Sequence, residues 1–422
     1  MLDLAFIREN TDVVKAAVAN KGEAADIDGI IAADERRREF LKEVESLRAE
    51  RNEVSKRIGE LKKKGEDAGD LVVSMRQVGE RIKAIETDLA AVDAQLKDML
   101  LWVPNVPAAD VPVGPEEGHN EVVRSWGEVK RPDKKALTHW EVAEKLDLVD
   151  FARGSKIAGT GFALFTGMGA RLERALINFM VDLHAGKHGY KEVFPPYLVN
   201  RDSMTGTGQL PKLEEDMYKT SVDDLFLIPT AEVPVTNIFR GEILNAFDLP
   251  IKLTAYSGCF RREAGSYGKD TRGLIRVHQF DKVEMVKFVA EDESYEELES
   301  LVRDAEEVLQ DLGLAYRVVK LSTEGLSFAA AKCYDIEVWA PGVGRWLEVS
   351  SCSNFEAFQA LRMNMRFRDR EKKTQLPHTL NGSGLALARL VPAILENFQN
   401  RDGSVTVPEV LRPYMGGLDR IG

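Results

Sequence analysis

The chain has 422 residues, 44% of them apolar, and a formal charge of −12; this is more apolar chain than one core usually holds, so at least two structural units are expected. No apolar run approaches the ~18–20 residues of a membrane span, and the start, Met1-Leu2-Asp3-Leu4 followed by Arg8, Glu9 and Asp12, has no signal-peptide pattern. The acidic balance excludes indiscriminate binding to nucleic acid, because phosphate neutralisation needs clustered Lys and Arg, so any RNA contact must be local. The three cysteines, Cys259, Cys333 and Cys352, are odd in number and too far apart for a metal cluster, which fits a reducing compartment and a cytoplasmic protein without a membrane partner.

The first hundred residues read as a helical arm. Phe40, Val44, Leu47, Val54, Ile58 and Leu61 form one heptad seam, and Leu71, Met75, Val78, Ile82, Ile85, Leu89, Val92, Leu96 and Met99 form a second. Gly65 and Gly69 between them can reverse the chain, predicting an antiparallel hairpin. About 30 residues per helix at ~1.5 Å each gives an arm of roughly 45 Å. A dimerisation coiled coil or a spacer is the plain reading of such seams. Arg51, Lys56, Arg57, Lys62, Lys63 and Lys64, set against only Glu53 and Glu60, favour instead an arm whose basic tip meets a structured RNA through its shape and backbone.

Trp102-Val103-Pro104 closes this unit, and Pro107, Pro112 and Pro115 then predict an extended linker. The expected organisation is 1–103 as an N-terminal arm-bearing domain, 104–136 as the linker and start of the catalytic unit, and 137–422 as the catalytic domain. Within the last, 170–184 is an amphipathic helix, whereas 225–228, 252–259, 282–288, 334–339 and 345–349 have strand character. Strands follow strands without regular βαβ alternation, so the fold class is α+β, with a largely antiparallel sheet flanked by helices. Gly167-Met168-Gly169 lacks the third glycine of a dinucleotide-binding turn. His184 and His188, four apart with no third ligand nearby, read as a surface pair closing a helix and not as a metal site.

The richest segment is Cys259–Phe280. An apolar strand ends in Arg261-Arg262-Glu263, a glycine-rich polar loop follows, and an apolar strand returns through Phe280 to Glu284. Arginine at a strand end can grip a phosphate bidentately, and the nearby glutamate and phenylalanine can bond to and stack on a purine. This segment resembles motif 2 of the class II aminoacyl-tRNA synthetases and, in detail, that of the bacterial-type seryl-tRNA synthetases. Other segments agree: Phe194-Pro195-Pro196-Tyr197-Leu198-Val199 resembles the motif 1 strand, and Asn381–Arg389 resembles motif 3. The segments 205–212, 228–232 and 348–354 look like seryl-type signatures. The likeness covers essentially the whole chain, including the arm.

The resemblance implies a class II antiparallel sheet preceded by a coiled-coil arm, and an enzyme that forms seryl-adenylate from L-serine and ATP. Serine then passes to the 3′ end of tRNA(Ser), and the likeness extends to tRNA(Sec). It implies Arg261 on the α-phosphate, Glu263 on the adenine amino group, and adenine between Phe280 and Arg389. Arg262, Val277, Val349 and Ser350 complete the ATP site, and Glu348 and Ser351 hold Mg2+, a hard ion suited to oxygen ligands. Serine would meet Thr230, Ala231 and Glu232 near its amino group, Glu284 and Ser383 near its hydroxyl, and Arg261 beside the α-phosphate. Arg261 and Arg389 are the implied catalytic residues, and Arg51, Lys56, Arg57, Lys62, Lys63 and Lys64 the tRNA contacts. Motif 1 implies a homodimer.

Two loops, 206–218 and 264–275, are expected to order over the adenylate or against the RNA acceptor end. Pro392 is expected in a first helical turn or at a kink. A relative that charges a carrier protein would lack the arm, a regulatory protein on this fold would be expected to lose Arg261, Glu284, Glu348 or Arg389, and threonine or proline enzymes conflict with Thr230-Ala231-Glu232.

Overall fold

The computed structural model describes residues 1–129, 136–263 and 272–422; of the second loop expected to move, 264–271 lies outside the described residues. The chain divides into two compact units, Met1–Pro104 and Asn105–Gly422.

In the first unit two short helices, α1 (Leu4–Glu9) and α2 (Thr11–Asn20), precede the long α3 (Ile27–Lys64) and α4 (Gly69–Leu101). Asp26 starts α3 by accepting the Gly29 N–H at 2.8 Å. Gly65 ends it at φ 77°, a left-handed conformation that costs glycine nothing. Arg37–Asp93, Arg48–Glu86 and Arg81–Glu43 ion pairs set the antiparallel register. Val44, Ile82 and Ile85 are buried between the helices, with Phe40, Leu47 and Val78 packed around them. At 38 and 33 residues the helices span about 57 and 50 Å. They are longer than the seams predicted, because α3 begins thirteen residues before Phe40.

The second unit is built on an eight-stranded sheet. In chain order its strands are β1 (Glu121–Trp126), β2 (Lys191–Glu192), β3 (Ile251–Phe260), β4 (Gln279–Val289), β5 (Tyr316–Lys320), β6 (Lys332–Ala340), β7 (Arg345–Asn354) and β8 (His378–Ala386). They lie side by side as β1-β5-β6-β7-β8-β4-β3-β2, antiparallel throughout except for the β2–β3 edge. The helices α5 (His139–Lys145), α6 (Gly167–Gly186), α7 (Ser294–Leu312) and α8 (Leu387–Asn397) carry buried apolar residues into the main core. Alternation along β4 divides the strand between two environments. Val283 and Met285 join the helix-covered core, whereas Phe280, Lys282 and Glu284 line a cavity.

Three expectations change. The proline-rich stretch after Pro104 is extended but pinned to the second unit: the Asn105 side chain donates to Ala329 O and Phe355 O, both at 2.9 Å, and Ala108 N–H donates to Ala331 O at 2.9 Å. The motif 1 segment is strand only over Leu198–Asn200, because Pro195 and Pro196 have no N–H to give to a ladder. Pro392 is the sixth residue of α8, beyond the first turn, and leaves the Ala388 carbonyl without its helical donor. Among the described residues no helix is long and apolar enough to cross a membrane.

Candidate active site

A cavity of about 370 Å³ opens on the sheet over β4, β7 and β8, with Thr230 and Glu232 from the 228–232 segment at one end. In the β8–β4 register Ser383 lies directly opposite Glu284, and both line the cavity. Glu284 is only 2% exposed, so its carboxylate must be satisfied from within. Lys282 forms an ion pair with it, the Thr230 hydroxyl donates to it at 3.0 Å, and Lys282 Nζ donates to that hydroxyl at 2.8 Å. Glu232 is also buried and accepts from Gln359 Nε2 at 2.8 Å. Burial, reinforced by the charge of Glu284, raises its pKa to about 7 despite Gln359, Lys282 and Asn381 nearby. Thr379 Oγ1 donates to Gln359 Oε1 at 2.7 Å, which leaves the Gln359 amide nitrogen as donor toward Glu232.

The opposite end is cationic and aromatic. The Arg261 guanidinium lies 5.2 Å from the centre of the Phe280 ring, with Nε donating weakly to Pro229 O at 3.4 Å. Arg389, the third residue of α8, reaches Glu348: its Nη1 is 3.0 Å from both the backbone oxygen and Oε1. Glu263 has φ 51°, a strained value for a non-glycine, and accepts from Arg276 Nε at 2.5 Å. Val277 and Val349 supply apolar wall.

Glu348 and Ser351 both face the cavity from β7. Asp335 lies opposite Ser351 on β6, and its carboxyl is pushed well above the usual range, first by burial and then by the charge of Glu348. Two carboxylates and a hydroxyl are a hard oxygen set, and a divalent cation there would relieve the repulsion between them, so these residues fit Mg2+. Among the described residues no group of three His, Cys, Asp or Glu side chains is arranged to hold a metal.

Several sequence candidates take other positions. Arg262 donates to Glu215 O at 3.0 Å and clamps the neighbouring loop instead of lining the cavity. Ala231 is fully buried in a second apolar cluster with Val235 and Val286. The Ser350 side chain points to the other side of β7, where it donates to Ser383 O at 2.7 Å. Sequence reasoning did not single out Lys282, Asn381, Arg276, Phe328 or Phe355, which line the cavity, or Gln359, which reaches it through Glu232. The spacing Phe280-Lys282-Glu284 on one strand face could have revealed the first; Gln359, far away in sequence, gave no signal. In the arm, Arg51, Lys56, Arg57, Lys62, Lys63 and Lys64 are all exposed, and none enters an ion pair among the described residues. His184, expected at the surface, is fully buried.

Residues 1–107 match the family model described as the seryl-tRNA synthetase N-terminal domain, and residues 215–398 the one described as the tRNA synthetase class II core domain (G, H, P, S and T). The chain is 56% identical over 422 residues to a serine–tRNA ligase of Pelotomaculum thermopropionicum, covering all of both chains. It is 56% identical over 423 residues to that of Geobacter sulfurreducens, again covering all of both. Its fold superposes on the crystal structure of seryl-tRNA synthetase from Pyrococcus horikoshii complexed with ATP, with a TM-score of 0.95, 39% identity and coverage of 100% and 99% of the two chains. A cytoplasmic serine–tRNA ligase of Naegleria fowleri in complex with AMP gives a TM-score of 0.90 at 29% identity, over 100% and 98% of the chains.

Proposed function

This chain belongs to the seryl-tRNA synthetases, enzymes that charge tRNA with serine, and from that premise we propose how its own residues divide the work. The observation that carries the reading is one buried cavity with a hydroxyl-recognising pair, Glu284 and Ser383, at one end and Arg261 beside Phe280 at the other.

L-Serine binds with its hydroxyl between Glu284 and Ser383 and its ammonium toward Glu232 and Thr230. Alanine is disfavoured because it forgoes the hydrogen bonds that the serine hydroxyl would add to Glu284 and Ser383. ATP lies over the sheet, with adenine against Phe280 and Arg389 and its amino group near Glu263. To reach the α-phosphate, Arg261 gives up its contact with the Phe280 ring, so one movement frees the stacking surface and delivers the cation. The serine carboxylate then attacks the α-phosphorus in line and pyrophosphate leaves, forming seryl-adenylate.

The chemistry needs no side-chain nucleophile; positioning and charge neutralisation by Arg261 and Arg389 are sufficient in kind. Glu348 and Ser351, with Asp335 opposite Ser351 on β6, would hold Mg2+, which would supply further neutralisation of phosphate charge. In the second step the terminal adenosine hydroxyl of the tRNA attacks the adenylate. The exposed basic residues Arg51, Lys56, Arg57, Lys62, Lys63 and Lys64 hold the body of tRNA(Ser), and of tRNA(Sec), through its backbone.

ATP–pyrophosphate exchange with each of the twenty amino acids, followed by charging of bulk tRNA, tests this reading. Exchange with serine alone, together with stable charging of tRNA, is the expected result. Exchange driven better by threonine or alanine would overturn the serine-site assignment, and serine exchange without charging would overturn the role given to the arm.

A further inference from the structure

The bulge in β8 is held from behind by a histidine that the reaction does not use. Ser383 pairs opposite Glu284 and Leu385 opposite Val283, leaving Gly384 as the extra residue. Two consecutive carbonyls at this kink are gripped by side chains: Ser350 Oγ donates to Ser383 O at 2.7 Å, and His184 Nε2 lies 3.3 Å from Gly384 O. The imidazole packs so closely that a Cβ on Gly384 would meet His184 Nε2 at 2.5 Å.

The ring's orientation follows from proton counting. Burial lowers the His184 pKa to about 4, so the ring is neutral and carries one N–H. A carbonyl can only accept, so that N–H is on Nε2; Nδ1 then accepts from His188 Nδ1 at 2.9 Å, and since the Glu307 carboxylate on the far side of His188 also only accepts, this arrangement takes a proton on both His188 nitrogens. The other nitrogen of His188 is 3.0 Å from Glu307 Oε2, and Lys187 grips the same carboxylate. A chain of hydrogen bonds thus runs from the rim of α6 and α7 to the backbone beside Ser383.

We propose that His184 is a positioning residue for serine recognition: by holding the Gly384 carbonyl, with its tautomer set by His188 and Glu307, it fixes the bulge that presents the Ser383 hydroxyl across from Glu284. The inference rests on the assignment of Glu284 and Ser383 to the serine hydroxyl.

Its test is serine- and ATP-dependent pyrophosphate exchange with the full chain carrying His184→Leu, His184→Gln, His188→Leu or Glu284→Ala. His184→Leu keeps the bulk and loses the donor; we expect the KM for serine to rise about tenfold while that for ATP stays within about twofold. His184→Gln restores a donor at the Nε2 position and should return the serine KM to within about threefold of the parent. An unchanged serine KM, equal rises for serine and ATP, or a glutamine variant as impaired as leucine would each overturn the proposal. If His184→Leu does not fold, His188→Leu, cut at the half-buried rim, carries the test: a rise in serine KM alone supports the chain of bonds, and no rise overturns it. Glu284→Ala separates the two assignments. If it leaves the serine KM unaltered the pocket itself is misassigned; if it raises that KM and His184→Leu does not, only the histidine's role fails.

Discussion

Glu232 and Glu284 share one buried pocket, and their environments set them apart. Glu284 has Lys282 and the Thr230 hydroxyl, whereas Glu232 has an amide donor and a pKa raised to about 7. Protonated Glu232 offers the serine ammonium no charge. The KM for serine should therefore rise as pH falls through about 7, with the ATP KM flat over the same range; a pH series of exchange assays reads this directly. Glu284→Ala removes a buried charged acceptor worth ~1.5–3 kcal/mol, so the serine KM should rise about 10- to 100-fold with little change for ATP. An equal loss for both substrates would misplace Glu284. At this scale the sequence named Arg261, Glu284, Ser383 and Arg389, which sit in contiguous motifs, but not Arg276, Phe328 or Phe355 in the same cavity wall. It overreached at Arg262, Ala231 and Ser350, whose motif neighbours line the cavity while they point elsewhere. Gln359 was illegible, since only the folded chain brings its helix to Glu232.

Among the elements, strands with β-branched and aromatic alternation were readable: four of the five expected lie inside longer strands of the large sheet, whereas 225–228 is strand only over Leu225–Leu227 and pairs with Leu198–Asn200 outside that sheet. β8 was not, because His378-Thr379-Leu380-Asn381-Gly382-Ser383-Gly384 has little strand propensity; its pairing is imposed by β4 and β7. The seams of the arm were equally plain, but helix length was not, as α3 begins well before its first seam residue. The hairpin's own core of Val44, Ile82 and Ile85 makes it separable in function. Deleting 33–100 should leave serine-dependent exchange near the parent level and reduce tRNA charging by at least about 100-fold, given the loss of several phosphate contacts. Replacing Lys62, Lys63 and Lys64 together by Glu should weaken charging most at low salt, and a KM for tRNA measured from 50 to 200 mM salt should have a shallower slope than the parent.

On the scale of the whole molecule, the second unit exposes Phe194 at 76% and Leu198 at 44%. We propose that this pair belongs to the homodimer surface that the motif 1 resemblance implies. Phe194→Asp with Leu198→Asp should sediment as a monomer where the parent sediments as a dimer, and an unaltered sedimentation coefficient would refute that surface. Both units were legible as separate bodies from the proline boundary, whereas the stitching of Asn105 and Ala108 into the second unit depends on carbonyls more than two hundred residues away. The alternation of β4 also bears on how this chain can change over generations. Phe280, Lys282 and Glu284 stand on one side of a strand at intervals of about 6.8 Å, like graduations on a ruler laid between nucleotide and amino acid. A substitution alters one graduation. A single-residue deletion within Gln279–Val289 shifts the frame, turning Asp281, Val283 and Met285 toward the substrates and sinking a lysine and a glutamate into the helix-covered core. Descendants of this sequence can therefore explore new amino acids by exchange of side chains along the ruler, but changes in length must fall outside it.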